Sequence, residues 1–271
     1  MFSNCSKLTT APTELPATTL SSTCYSGMFS SCTSLTTAPA LPATTLANDC
    51  YHSMFSGCSS LTTAPTLPST TLTSSCYSDM FSGCTSLTTA PELPATSLAP
   101  YCYKSMFYDC TSLKTTPSLP ATTLASNCYY SMFRNCKTLT TAPTLSATTL
   151  ADYCYSFMFS GCTSLTTAPA LPATTLVNSC YYGMFQNCTS LTTAPALPAT
   201  TLPNGCYGWM FSYCTSLNNV TVYADDISAS GCTTNWLINV ASSGTFRNLG
   251  SATYPTDSPS GIPTGWTEVK S

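Results

Sequence analysis

The chain has 271 residues with only 7 Lys or Arg and 10 Asp or Glu, so 6% of it is charged and the net charge is −3. Its polar surface comes instead from 51 Thr and 40 Ser. Without a basic run it has no electrostatic footprint for nucleic acid, which is excluded as a partner. One histidine, His52, and ten scattered carboxylates leave few groups for proton transfer near neutral pH, so an enzyme is not expected.

The sequence has no run of 18 apolar residues, so membrane insertion is not predicted. Residues 1–12 lack the basic and apolar regions of a signal peptide, and none is predicted in this chain.

A repeat of 26 residues organises the chain. Met-Phe pairs begin at every methionine of the sequence, and after a first interval of 27 residues every interval is 26: Met1, Met28, Met54, Met80, Met106, Met132, Met158, Met184 and Met210. A fixed period of this length predicts a solenoid in which each unit packs only on its neighbours. We assign eight repeats to residues 1–209, a degenerate ninth to 210–235 and a closing segment to 236–271.

One half of each repeat has helical spacing. In the segment 48–58, Cys50, Met54 and Cys58 lie at i, i+4 and i+8, with Tyr51 and Phe55 on the adjoining stripe. The residue before the second cysteine is usually Gly, Asn, Asp or Ser, types that tolerate the left-handed conformation at a helix end. This half predicts a short helix.

The other half of each repeat is rich in threonine and contains two prolines, as in residues 61–68 with Pro65 and Pro68. Proline cannot donate to a sheet ladder, so only a very short strand of about three residues can form. The predicted fold is therefore a leucine-rich-repeat-like solenoid, with a narrow parallel β-sheet on one face and short helices on the other.

The repeat weakens after Leu217. Val220 and Val222 alternate as a better strand, and Trp236 and Leu237 stand where Met-Phe would come next. We expect residues 236–271 to form an irregular cap over the last repeat. No such segment precedes the first repeat, so its edge is expected to dock on an upstream segment, a partner or a second copy.

The Cys-x-x-Leu start, the proline-bounded segment and the Met-Phe-x-x-Cys end resemble the BspA-like leucine-rich-repeat surface proteins of bacteria. The residues that carry the resemblance in one repeat are Cys58, Leu61, Ala64, Leu67, Pro68, Leu72, Met80, Phe81 and Cys84. Residues 241–246 and 261–267 also look like the closing segments of such proteins in gut bacteria and their phages. The resemblance implies surface display and adhesion or protein binding, and it offers no catalytic residue.

Eighteen cysteines form two columns of nine, separated alternately by 8 and 18 residues. An even number invites a disulfide framework, but eight residues of helix would place the two cysteines of a repeat about 12 Å apart, too far for a bond. Buried, reduced cysteines acting as small core residues are favoured. The sequence has no Cys-x-x-Cys pair and no histidine partner, so neither a metal site nor any other cofactor is predicted.

Variation between repeats concentrates at the two residues after each Cys-Tyr and after each Met-Phe. From the fourth repeat onward these positions become bulky, and two interpretations stay open: drift at unconstrained solvent positions, or a binding stripe built from residue types common in interaction hot spots. The candidate stripe residues are Tyr108, Tyr130, Arg134, Tyr182, Trp209 and Tyr213.

These features favour a non-enzymatic binding or structural protein, displayed outside the cell on a bacterial surface or on a phage virion as a structural or receptor-binding component. Its ligand would be a protein or a glycan. Binding of ice or a mineral surface by the Thr and Ser files is a remote alternative.

Overall fold

A computed structural model describes residues 2–270. Successive 26-residue units lie side by side and are joined by parallel backbone pairing, as where the Phe29 N–H donates to the Met54 carbonyl at 2.9 Å. Met1 and Ser271, which begin the predicted first repeat and end the predicted closing segment, lie outside the described residues.

The regular strands lie near the C-terminal end. They are β1 (Asn219–Val222), β2 (Gly244–Asn248) and β3 (Trp266–Lys270). They form one parallel sheet in the order β1-β2-β3. In the earlier repeats the same pairing is reduced to isolated parallel bridges, such as Thr37 with Thr63. The predicted narrow parallel sheet is therefore confirmed, and the prolines explain its width because they remove donors from the ladder.

The half predicted as a helix forms a run of overlapping turns. In the segment 23–32 the Met28 N–H donates to the Tyr25 carbonyl at 3.2 Å and closes a turn. The next N–H, of Phe29, donates instead to the Met54 carbonyl of the following repeat. Amide groups thus alternate between closing a turn and joining two repeats. We call this feature the turn ladder: residues 23–32, 49–58 and their equivalents through 231–239.

Left-handed residues recur every fourth position of the turn ladder. In the segment 49–58 they are Asp49, Ser53 and Gly57, with φ of 56°, 53° and 75°. A left-handed residue ends an α-helix, and three in each repeat leave no room for one. Residues 2–270 accordingly contain no α-helix, and the predicted short helices are not confirmed because turns stand in their place.

In the segment 49–58 the turn ladder buries the cysteine, tyrosine, methionine and phenylalanine side chains. Cys50, Met54 and Cys58 have no exposed surface, as predicted, and Tyr51 and Phe55 are at most 1% exposed. Leucines of the strand half complete the core of this repeat: Leu61, Leu67 and Leu72.

Aromatic rings stack through the core in two columns. Phenylalanine rings from Phe2 to Phe211 lie 5.6 to 5.8 Å apart between centroids. Tyrosine rings from Tyr25 to Tyr207 lie 5.7 to 6.1 Å apart. Each fully buried ring contributes roughly 1.5–3 kcal/mol of hydrophobic stabilisation, so the repeats are held together by one continuous core.

The closing segment is more ordered than the irregular cap expected from the sequence. Besides β2 and β3, it supplies an aromatic end to the tyrosine column. Trp236 stacks between Tyr207 and Tyr254, at 6.2 and 5.9 Å, and Phe246 packs edge-on against it. The indole N–H of Trp236 donates to the Gly261 carbonyl at 3.2 Å. None of the described segments forms a helix that could span a bilayer.

Candidate binding surface on the turn ladder

The outward side chains of the turn ladder are the variable ones identified in the sequence. They lie between the inward Cys-Tyr and Met-Phe pairs, two after each pair, and are half-buried or exposed in most repeats. In the early repeats they are small or polar. His52 and Asp79 form a solvent-exposed ion pair there, with 3.7 Å between Nε2 and Oδ2, and exposed pairs of this kind contribute little.

Four of the six predicted stripe residues meet in one cluster. The guanidinium of Arg134 lies over the rings of Tyr108, at 5.9 Å, and of Phe157, at 5.1 Å. The Phe157 ring in turn meets Tyr130 edge-on at 5.9 Å and Tyr182 at 5.3 Å. We call these five residues, drawn from four consecutive segments of the turn ladder, the aromatic–arginine cluster.

Phe157, at the centre of the cluster, was not among the predicted site residues. The prediction rested on bulky pairs four residues apart, and the partner of Phe157 at that spacing is Gly161. A signal was present, because the equivalent residue in most other repeats is Gly, Ser, Asp or Asn.

Glycines make room for two rings of the cluster. The Phe157 ring occupies the space that a side chain at Gly183 would take, and Tyr182 Cε2 lies 2.9 Å from where a Cβ of Gly208 would stand. Both rings therefore lie flat against the next repeat instead of projecting freely into solvent.

Trp209 and Tyr213 are not joined to the cluster. Within residues 2–270 neither ring contacts another aromatic ring at stacking or edge-on distance. Tyr213 is 42% exposed and Trp209 is half-buried. They lie next to the cluster in the following segment of the turn ladder, 205–214, so the predicted stripe divides into a packed part and an open part.

Five aromatic residues of the turn ladder occupy left-handed backbone positions. The equivalent positions of the other repeats hold Gly, Asn, Asp, Ser or Thr. A left-handed residue with a bulky side chain costs roughly 1–2 kcal/mol. The five residues, with φ between 55° and 61°, are Tyr101, Tyr153, Phe157, Trp209 and Tyr213.

The cysteine columns are unsuited to chemistry at the surface. All eighteen thiols are free, and all except Cys5 and Cys24 are buried. Burial raises the pKa of Cys50 to about 11 and that of Cys102 to about 12, so the reactive thiolate is scarce near neutral pH. Among the described residues, no group of three or more His, Cys, Asp or Glu could hold a metal ion.

The opposite face carries shallow grooves between neighbouring repeats, of about 310 to 410 Å³. Proline, threonine, alanine and leucine line them, as at Pro65, Thr66 and Leu67. They offer few distinctive polar groups, and the turn ladder is the richer candidate surface.

This repeat architecture matches the model of a known protein family. The description "BspA type Leucine rich repeat region" matches the chain in overlapping segments that together cover residues 1–254: 1–114, 26–166, 90–218 and 133–254. The chain belongs to the BspA-type leucine-rich repeat family. The resemblance drawn from the sequence is thereby confirmed, and membership indicates a protein-binding repeat protein of a family that is often surface-associated.

Among solved structures, this BspA-type chain is similar to a leucine-rich repeat protein from Bacteroides ovatus ATCC 8483. The two are 18% identical, the match covers 90% of this chain and 77% of that one, and the TM-score is 0.36. No curated protein sequence matches the chain.

Proposed function

We propose that this BspA-type protein is a non-enzymatic adhesin, displayed on a bacterial surface or a phage particle, that recognises another protein through the part of the turn ladder between residues 101 and 214. The observation that carries the proposal is the set of strained aromatic residues. Tyr101, Tyr153 and Tyr213 are 41%, 45% and 42% exposed, so neither core packing nor backbone preference accounts for them. Strain of this kind concentrates at binding sites.

The surroundings of these rings support a protein as the partner. Asn135 is half-buried and Asn187 exposed among the neighbouring positions, and one arginine, Arg134, lies among the aromatic residues. Tyr, Trp, Arg and Asn are likewise common in antibody paratopes, where Tyr and Trp supply rigid contact area and Asn supplies adaptable hydrogen bonds. A glycan is the alternative ligand.

The test replaces the three exposed tyrosines by asparagine, in a Y101N/Y153N/Y213N variant. Asparagine tolerates the left-handed conformation, so we expect the variant to unfold at a higher temperature than the wild type while losing binding to the target cells. Tyr223, 38% exposed and outside the turn ladder, gives the matched control Tyr223→Asn, which should keep binding.

The outcomes separate the alternatives. Pretreating the target cells with protease should abolish binding of the wild-type protein, whereas abolition by glycosidase alone would make the ligand a glycan. If the triple variant bound the target cells as well as the wild type does, the turn ladder would not be the binding surface.

Rows of threonine side chains on the strand half of the repeats favour a second candidate function, the binding of ice or a mineral surface. Thr62 and Thr63 are exposed, and the bridges from Thr37 to Thr63 and from Thr141 to Thr167 keep neighbouring hydroxyls in register. Thermal hysteresis with ice shaping would support this function. Its absence would favour the adhesin function instead.

A further inference from the structure

Arg134 is held rigidly on the surface of the turn ladder. Its guanidinium lies over Tyr108 and Phe157, at 5.9 and 5.1 Å, and the Phe157 ring is itself fixed by Tyr130 and Tyr182. Stacking on ring faces attracts the cation and orients the guanidinium plane.

This cation has no anionic partner within the chain. Among residues 2–270 the ion pairs are His52 with Asp79 and Lys270 with Glu268. The Nε atom of Arg134 is buried and has no hydrogen-bond partner. Asp109, in the adjacent repeat, accepts instead from the Asn135 amide at 2.8 Å. Because this Nε has almost no solvent-accessible surface, a carboxylate from a partner would bind at the terminal Nη groups of the guanidinium.

We infer that Arg134 is a preorganised receptor for one carboxylate of the protein partner, an Asp or Glu side chain flanked by an apolar or aromatic residue. A carboxylate fits the guanidinium fork in a bidentate way, and the rings of Tyr108 and Phe157 would contact the flanking residue. The inference rests on the proposed function, and it specifies the chemical group of the partner that the turn ladder recognises.

The specificity of such a site comes from its preorganisation. The protein carries a net charge of −3, so its overall charge does not attract an acidic partner, and a single oriented cation must select the carboxylate locally. Fixing the arginine before binding reduces the side-chain entropy that is lost on association.

Arginine side-chain NMR tests the inference directly, because the chain has two arginines, Arg134 and Arg247, and Arg247 is exposed on β2. The probes are the blocked tripeptide Phe-Glu-Phe and its matched Phe-Gln-Phe analogue. We expect the Glu peptide to shift the Nε–Hε resonance of Arg134 and leave that of Arg247 in place, and the Gln peptide to shift neither.

Arg134→Lys keeps the charge but loses the planar fork, and should weaken binding of the Glu peptide by at least about tenfold. Arg247→Lys should leave it unchanged. Equal response to both peptides, or equal shifts of both arginines, would overturn the inference, as would tighter binding of glucuronate than of the peptide. If cell binding is lost in Y101N/Y153N/Y213N but kept in Arg134→Lys, the carboxylate site alone is wrong and the proposed function stands.

Discussion

At the scale of the residue, the two cysteine columns differ although their sequence patterns look alike. In the column that runs every 26 residues from Cys32 to Cys214, each thiol donates to a phenylalanine carbonyl of the preceding repeat. Cys136 does so to Phe107 at 3.2 Å, and Cys214 to Phe185 at 2.9 Å. Cysteine suits this position because it is small, apolar and still a weak donor.

The comparison of Cys136→Ala with Cys128→Ala measures that difference, since both thiols are fully buried and lie in the same segment of the turn ladder, 127–136. Both changes leave a cavity of similar size. Only Cys136→Ala also removes a hydrogen bond, so its loss of unfolding free energy should be larger by about 0.5–1 kcal/mol. Urea denaturation under reducing conditions gives the two values, and equal losses would show that the S–H bond contributes nothing.

At the scale of the element, the sequence predicts the repeat, its length and its core residues, but not the turn ladder. Turns that recur every four residues bring Cys50, Met54 and Cys58 inward at i, i+4 and i+8, which is also the spacing of a helix stripe. The left-handed positions would tell the two apart. Some of them hold threonine or aromatic residues, such as Thr23 and Phe157, which give no such signal.

Four residues of the aromatic–arginine cluster could be predicted although the backbone that carries them could not. Outward positions vary whichever element carries them, so Tyr108, Tyr130, Arg134 and Tyr182 could be found without the correct backbone. The place of Phe157 between them depends on contacts across repeats, at 5.1 to 5.9 Å, which no spacing within one repeat encodes.

Ser53→Ala and Ser53→Gly distinguish a turn ladder from a helix by the sign of the difference between them. Ser53 lies in the middle of the segment 49–58, with φ of 53°. In a helix interior the alanine variant would be the more stable of the two by about 1 kcal/mol, whereas at a left-handed position the glycine variant should be the more stable by about the same amount. Thermal denaturation of the two variants decides between them.

At the scale of the whole molecule, the buried thiols and phenols make stability depend on alkaline pH. Burial raises the pKa of Cys50 to about 11 and of Cys162 to about 12, and holds that of Tyr129 well above its usual value. In the unfolded chain a cysteine releases its proton near pH 8.5. The folded state therefore binds more protons than the unfolded state at high pH, and stability must fall as pH rises.

We expect the free energy of unfolding to vary little between pH 5 and 7, where these groups are protonated in both states. It should then fall from about pH 8 toward 11–12, by about 1.4 kcal/mol per pH unit for each proton of difference. Denaturation with reductant at pH 7, 9 and 10.5 measures the slope. A constant free energy across that range would contradict free, buried thiols.

The alternation of hydrogen bonds in the turn ladder also makes the solenoid electrically polar along its axis. The peptide group between Met54 and Phe55 accepts from Phe29 on one side and donates to Met80 on the other, at 2.9 Å each, and its equivalents align head to tail from repeat to repeat. Helices owe their macrodipole to the same arrangement. Here the peptide dipoles add along the stacking axis of the solenoid, from one repeat to the next, whereas in a helix they add along the chain. The N–H groups point toward the C-terminal repeats. The turn ladder thus adds a positive pole at the end that carries Trp236 and a negative pole at the end that carries Phe2, in a molecule whose formal charges alone indicate no such polarity.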